Sequence, residues 1–147
     1  MLGSSGITAE DELVGTYKLI NTTRTTLETG QAVVENNRGF IMYGRDGRMM
    51  ALILTGDRPT PVSIEKITDE ERVELFRSMV AYAGSYTFDG KTVEHHIDMS
   101  SNGVWTGTTQ IRDIKREQGR LILATRPAPS PFDGMMVSAT LVWEKVQ

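Results

Sequence analysis

The dipeptide Asp89-Gly90, set between the runs AYAGSYTF and KTVEHHID, constrains this chain more than any other feature. A tight antiparallel hairpin needs positive φ at both central residues, and Gly adopts it without strain, so Asp-Gly between β-prone runs predicts a two-residue type I′ turn. Such a turn sets Phe88 opposite Lys91, Tyr86 opposite Val93, Gly84 opposite His95 and Tyr82 opposite Ile97. One face then holds Tyr82, Tyr86, Val93, His95, Ile97 and Met99, and the other holds Ser85, Thr87, Thr92, Glu94, His96 and Asp98. A sheet divided in this way has one covered side and one wet side. His95 falls on the covered side and His96 on the wet one.

A second Asp-Gly pair, Asp46-Gly47, joins Gly39–Arg45 to Arg48–Leu54. The same two-residue logic groups Phe40, Met42, Met49, Ala51 and Ile53 on one face and Ile41, Tyr43, Met50 and Leu52 on the other. Both faces are apolar, so one is expected to line an interior and the other to lie under the chain's single helix. That helix is predicted over residues 67–80, because Thr68 and Glu71 form a capping box, acidic residues crowd the first turn, and Val73, Phe76 and Val80 recur at helical spacing. It should flank one end of the sheet.

Around these pieces the remaining segments read as short strands. Gly15, Tyr17 and Leu19 alternate with Thr16 and Lys18, and the Thr-rich run from Asn21 to Thr26 reads as an exposed or edge strand, continued by Gln31–Val34. Thr106–Ile114 and Arg120–Thr125 pair around Glu117-Gln118-Gly119, and Met136–Val146 closes the chain. Between them Arg126–Gly134, with three prolines, predicts a long loop at a mouth. With no repeat and no linker, 147 residues predict one domain over residues 14–147 after a flexible tail, residues 1–13, in which Gly3-Ser4-Ser5-Gly6 is linker-like.

Composition then removes whole classes of function. Zero Cys excludes disulfides, thiol catalysis and thiolate metal sites. A net charge of −3 with no basic run argues against nucleic acid as a partner. No apolar stretch approaches the roughly 20 residues that cross a bilayer, and the acidic start lacks the features of a signal peptide, so the expected setting is cytoplasmic and off the membrane. Adjacent His95 and His96 point to opposite faces of a strand, and no third His exists to complete a metal site. Neither a nucleophile elbow nor a glycine-rich phosphate loop is present.

The segments VEHHIDMS (93–100) and WTGTTQIR (105–112), with GTYKL (15–19), GFIMYGRDGRM (39–49), AYAGSY (81–86) and LVWEK (141–145), together resemble the bacterial and fungal lipocalin-like domain family of the calycin superfamily. That resemblance implies an all-β, antiparallel up-and-down barrel of about eight to ten strands. Where lipocalins carry G-x-W near the start, this chain has Tyr17. Alternation alone leaves the faces of Gln110 and Arg112 open, and the family's G-x-x-Q-x-R pattern implies that both turn inward.

Two functions follow from such an interior. One is a binding barrel for a small hydrophobic or aromatic molecule carrying an acidic or carbonyl oxygen. The other is a cofactor-free isomerase, cyclase or lyase, with His95 as general acid or base and Tyr82 or Arg112 steadying an oxyanion. The candidate catalytic set is therefore His95, Tyr82 and Arg112, and the candidate ligand contacts are Tyr86, Met42, Met49, Ile97, Met99, Gln110 and Trp143. Some of these have a plainer role: core filling for Met49 and its neighbour Met50, a satisfied core histidine for His95, a rim arginine for Arg112. No metal or cofactor is expected, the partner is a small molecule, and the chain is compatible with a homodimer.

Overall fold

The computed structural model describes residues 12–146. Ten strands succeed one another: β1 (Gly15–Thr26), β2 (Ala32–Glu35), β3 (Arg38–Tyr43), β4 (Arg48–Leu54), β5 (Met79–Phe88), β6 (Thr92–Ser100), β7 (Thr109–Glu117), β8 (Arg120–Thr125), β9 (Ala128–Pro129) and β10 (Met136–Val146). Eight of them close a ring in the order β1-β3-β4-β5-β6-β7-β8-β10, sealed by antiparallel pairing of β10 with β1. Strands β2 and β9 are additions, on β1 and β10 respectively. Closure removes the unpaired edges that an open sheet of this size would expose. The expected antiparallel barrel is thus the observed fold. The tail predicted over residues 1–13 lies mostly outside the described residues, although Leu13 is fully buried in the core.

The two Asp-Gly turns depart from the predicted geometry, with different consequences. At Asp89-Gly90 the loop is two residues longer, so Phe88 pairs with Val93 and Tyr86 with His95. Asp89 holds it by accepting from the amides of Lys91 (2.9 Å) and Thr92 (2.7 Å). A shift of two preserves the faces, and Tyr82, Tyr86, Val93, His95 and Ile97 are all buried. At Asp46-Gly47 the loop is three residues, with the Gly47 amide bonded to Gly44 O (3.1 Å), Gly47 at φ +81° and the Gly44 amide bonded to Arg48 O (2.7 Å). An odd loop slips the register by one, so Tyr43 meets Met49 and Ile41 meets Ala51 inside the barrel. Met42 is consequently outside, 50% exposed, beside Phe40, Met50 and Leu52. The type I′ turn occurs instead at Gln118-Gly119, both at positive φ, between Glu117 and Arg120.

Met99 is also turned outward, at 63% exposure, and the cause is a bulge. Gly84 pairs with Ile97 but Ala83 with Met99, so Asp98 is the extra residue and the alternation changes phase there. The Thr-rich continuation of β1 is a barrel strand paired with β10, and Thr22 within it is buried.

The helix α1 (Asp69–Arg77) is shorter than predicted. Thr68 and Glu71 form the capping box, with 3.1 and 2.9 Å bonds. Val80 belongs to β5, paired with Ile53 and buried, which takes it out of the helical stripe. Val73 and Phe76 remain about half exposed, and no residue of α1 is buried, so the helix does not cover the apolar outer face of β3 and β4. It sits in the β4–β5 connection, at the end of the barrel where Arg58 Nη1 donates to Leu75 O and Ser78 O.

Candidate functional site

The barrel interior has two parts. One end is packed solid by Leu13, Tyr17, Tyr43, Tyr86, Phe88, Val93 and Met49. Towards the other end a cavity of about 120 Å³ remains, roofed by the segment from Arg126 to Phe132. Its walls are mainly aliphatic and aromatic: Ile41, Ile53, Val80, Trp105, Leu123, Phe132, Val137, Leu141 and Trp143. Both tryptophans of the chain line it.

Between the packed floor and the cavity runs a line of aromatic rings. All four tyrosines of the chain are buried here, with Tyr43 edge-on to Tyr17 and Tyr86 at centroid separations of 6.2 and 4.9 Å. Each hydroxyl at the floor is satisfied: Tyr17 donates to Leu13 O (2.8 Å) and Tyr86 to Gly44 O (2.8 Å). His95 stands in the middle of the line, fully buried. Tyr43 Oη lies 2.7 Å from its Nε2 and Tyr82 Oη 2.9 Å from its Nδ1. Neutral imidazole offers one N–H and one lone pair, so one tyrosine donates to the ring and the other accepts from it.

Electrostatics hold this chain of groups uncharged. Burial, followed by the nearby Arg112 and His96 charges, pushes the His95 pKa down to about 3. Burial raises the Tyr43 hydroxyl well above its ordinary value, reinforced by Tyr82. Tyr82 is likewise raised by burial, with the Arg112 guanidinium opposing the shift. At neutral pH the row is therefore Tyr-OH, imidazole, Tyr-OH, beside one permanent cation.

That cation comes from β7. Gln110 pairs with His95 and Arg112 with Val93, and both side chains reach the cavity. Among the described residues Arg112 makes no ion pair; it donates to the neighbouring Ile111 O at 3.1 Å and to the neutral hydroxyl of Tyr82. A charged fork against apolar walls is unfavourable unless an oxygen meets it. Nearer the mouth, Arg24 also lines the cavity but is neutralised by Asp133 at 2.6 Å, which ties the roof to β1. Arg126, more exposed, pairs with Asp113 at 3.1 Å.

The cavity wall also contains two orphaned polar atoms. Thr22 Oγ1 and Trp143 Nε1 are buried and have no hydrogen-bond partner among the described residues. Each such group costs about 1–3 kcal/mol when left unpaired.

Of the residues named from sequence, His95, Tyr82, Arg112, Gln110 and Trp143 converge on the cavity. Tyr86, Met49 and Ile97 are buried but belong to the packing around it, and Met42 and Met99 lie on the outside. The sequence reading misses Tyr43, Thr22 and Trp105. Tyr43 carries a signal in Gly44-Arg45-Asp46-Gly47, whose second glycine is suited to a type I turn with a one-residue bulge. Trp105 lies in an irregular turn, outside any alternating pattern. No group of three or more His, Asp or Glu among the described residues is arranged to hold a metal.

Known proteins bear on this geometry. A family model described as a lipocalin-like domain matches residues 14–146. A 4'-hydroxy-3'-methoxypropiophenone carrier protein of Aspergillus oryzae is 30% identical over 87 residues, covering 54% of this chain and 78% of the relative.

Proposed function

The chain belongs to the lipocalin-like domain family, and from that premise we propose that it is a carrier for a one-ring aromatic molecule bearing an acidic or carbonyl oxygen. The observation that carries this reading is Arg112: a guanidinium without an ion pair among the described residues, facing a mainly apolar cavity beside Tyr82 and Gln110. A carboxylate, phenolate or ketone oxygen placed there gives the cation its missing partner, and the apolar walls take the ring. The volume limits the ligand to one ring, since about 120 Å³ is on the order of the roughly 150 Å³ that admits benzene, and ring substituents would extend towards the open mouth. The relative's name adds support, because it describes the carriage of a hydroxylated aryl ketone.

The enzymatic alternative, a cofactor-free isomerase, cyclase or lyase, needs a general base. His95 is a poor one. Both ring nitrogens are engaged by tyrosines, and a pKa of about 3 gives it little affinity for a substrate proton. Any transfer would have to pass through Tyr82, whose hydroxyl is itself reluctant to ionise.

Titration with 4'-hydroxy-3'-methoxypropiophenone, followed by tryptophan fluorescence, tests the proposal, because both tryptophans line the cavity. Saturable quenching at one equivalent is expected, with the ketone recovered unchanged on chromatography. Absence of saturation for this and related acylphenols would reject the carrier reading, and conversion to a new compound would replace it by the enzymatic one.

A further inference from the structure

We propose that Thr22 and Trp143 form a second polar anchor, which receives an un-ionised hydroxyl at the end of the ligand away from Tyr82 and Arg112; this rests on the carrier reading above. The two residues bring independent observations to the same wall. Each is more than nine-tenths buried, each lines the cavity, and each has a polar atom with no partner among the described residues. Elsewhere on the cavity wall buried polar side chains bond internally: Tyr82 with His95, and Ser130 Oγ by accepting from the amide of Phe132. A barrel that satisfies its floor tyrosines one by one, yet leaves two polar atoms open on one wall, has a wall suited to an external partner.

The ring order gives the ligand its direction. In an eight-strand cylinder β1 lies four positions from β6, and β10 four positions from β5. Thr22 on β1 and Trp143 on β10 therefore look across the barrel at His95 on β6 and Tyr82 on β5. A ring spanning the cavity presents one substituent to each wall.

The chemistry of the anchor selects the substituent. Indole N–H only donates, whereas a threonine hydroxyl both donates and accepts. A neutral hydroxyl uses both, accepting from Trp143 and donating to Thr22. A carboxylate finds no free cation here, because Arg24, two residues along β1, is held by Asp133. The ligand class is thus an aromatic ring with a carbonyl or acidic oxygen at one end and a hydroxyl opposite it.

The test compares 4'-hydroxypropiophenone with propiophenone, which lacks the hydroxyl. Wild-type protein is expected to prefer the hydroxylated ketone by about tenfold, the scale of one well-made buried hydrogen bond. Trp143→Phe and Thr22→Val should each bring that ratio towards one; Arg112→Met should weaken both ketones alike and keep the ratio. Because a cavity variant can misfold, the wild-type protein supplies a second readout. Of its two indole N–H resonances, the one absent from Trp143→Phe should move downfield with the hydroxylated ketone only. Equal binding of the two ketones, or an unmoved indole resonance, overturns the anchor and leaves the carrier reading standing. Failure of both ketones to bind overturns the carrier reading, and the anchor with it.

Discussion

The hydroxyl of Tyr82 lies 2.9 Å from Nδ1 of His95, and this contact closes the imidazole against its surroundings, because Tyr43 already holds Nε2 at 2.7 Å. Thirteen residues separate Tyr82 from His95 and fifty-two separate Tyr43 from His95. One pairing is local to a hairpin and the other spans three strand connections. The result is a histidine that serves as a fixed polar strut and carries no charge at neutral pH.

Acid stability should report that strut. Unfolded His takes up a proton near pH 6.5, whereas His95 in the fold resists until about pH 3, so between those values the unfolded chain binds more protons. Stability is then complete above about pH 6.5 and falls as pH drops through the window, by roughly 1.4 kcal/mol per unit at most. Urea unfolding at pH 7, 5.5 and 4.5 measures the slope. Comparison with His95→Gln separates this residue from the carboxylates, and an unchanged slope in the variant would refute the assignment.

His95→Ala should destabilise the protein by about 3–5 kcal/mol, from a cavity and two buried hydroxyls left unpartnered. Thermal or chemical unfolding checks it. His96→Ala should change stability by less than about 1 kcal/mol, because that ring is only part-buried on the outer face, where its Nδ1 bond to Thr109 (3.0 Å) is open to water.

Arg112→Met should separate binding from folding. Removing an unpaired charge from an apolar wall is expected to leave the melting temperature equal or higher. Affinity for a ketone or carboxylate ligand should fall by about 10- to 100-fold, the scale of a hydrogen bond to a charged group. Loss of stability with unchanged affinity would instead mark Arg112 as a framework residue.

Asp133→Ala should act on kinetics. The Arg24–Asp133 pair fastens the roof segment to β1, and because the Arg24 side chain is only 16% exposed, its removal leaves a largely buried cation unpaired. Stability should fall by about 1–3 kcal/mol, the scale of a largely buried charge losing its partner, and stopped-flow fluorescence should show faster ligand release.

Gly84→Ala should be severe, because an added Cβ would fall on the carbonyl of His96, and backbone on both sides leaves it nowhere to go. A loss of more than about 3 kcal/mol, or failure to accumulate as folded protein, is expected. A well-folded Gly84→Ala would mean that the β5–β6 bulge is absent in solution.

Much of this architecture is legible in the chain itself, because side chains alternate across a strand with a period of two. That local rule is enough to turn His95, Tyr82 and Ile97 inward and His96 outward, and it survives a loop two residues longer than expected. The Thr68–Glu71 capping box is equally local, and it fixes where α1 begins. What alternation cannot supply is the phase of one strand against the next. At Asp46-Gly47 a single extra loop residue exchanges Met42 for Tyr43 at the interior, and at Gly84 one bulged residue carries Met99 outside. The cavity is further removed still from sequence. It exists because β10 closes on β1 and brings Thr22 and Trp143 across from Tyr82 and His95, and no segment shorter than the whole ring records that meeting. Local sterics determine which way each side chain points along its own strand, whereas the register and closure that decide what it faces are set by the packing of strands more than a hundred residues apart.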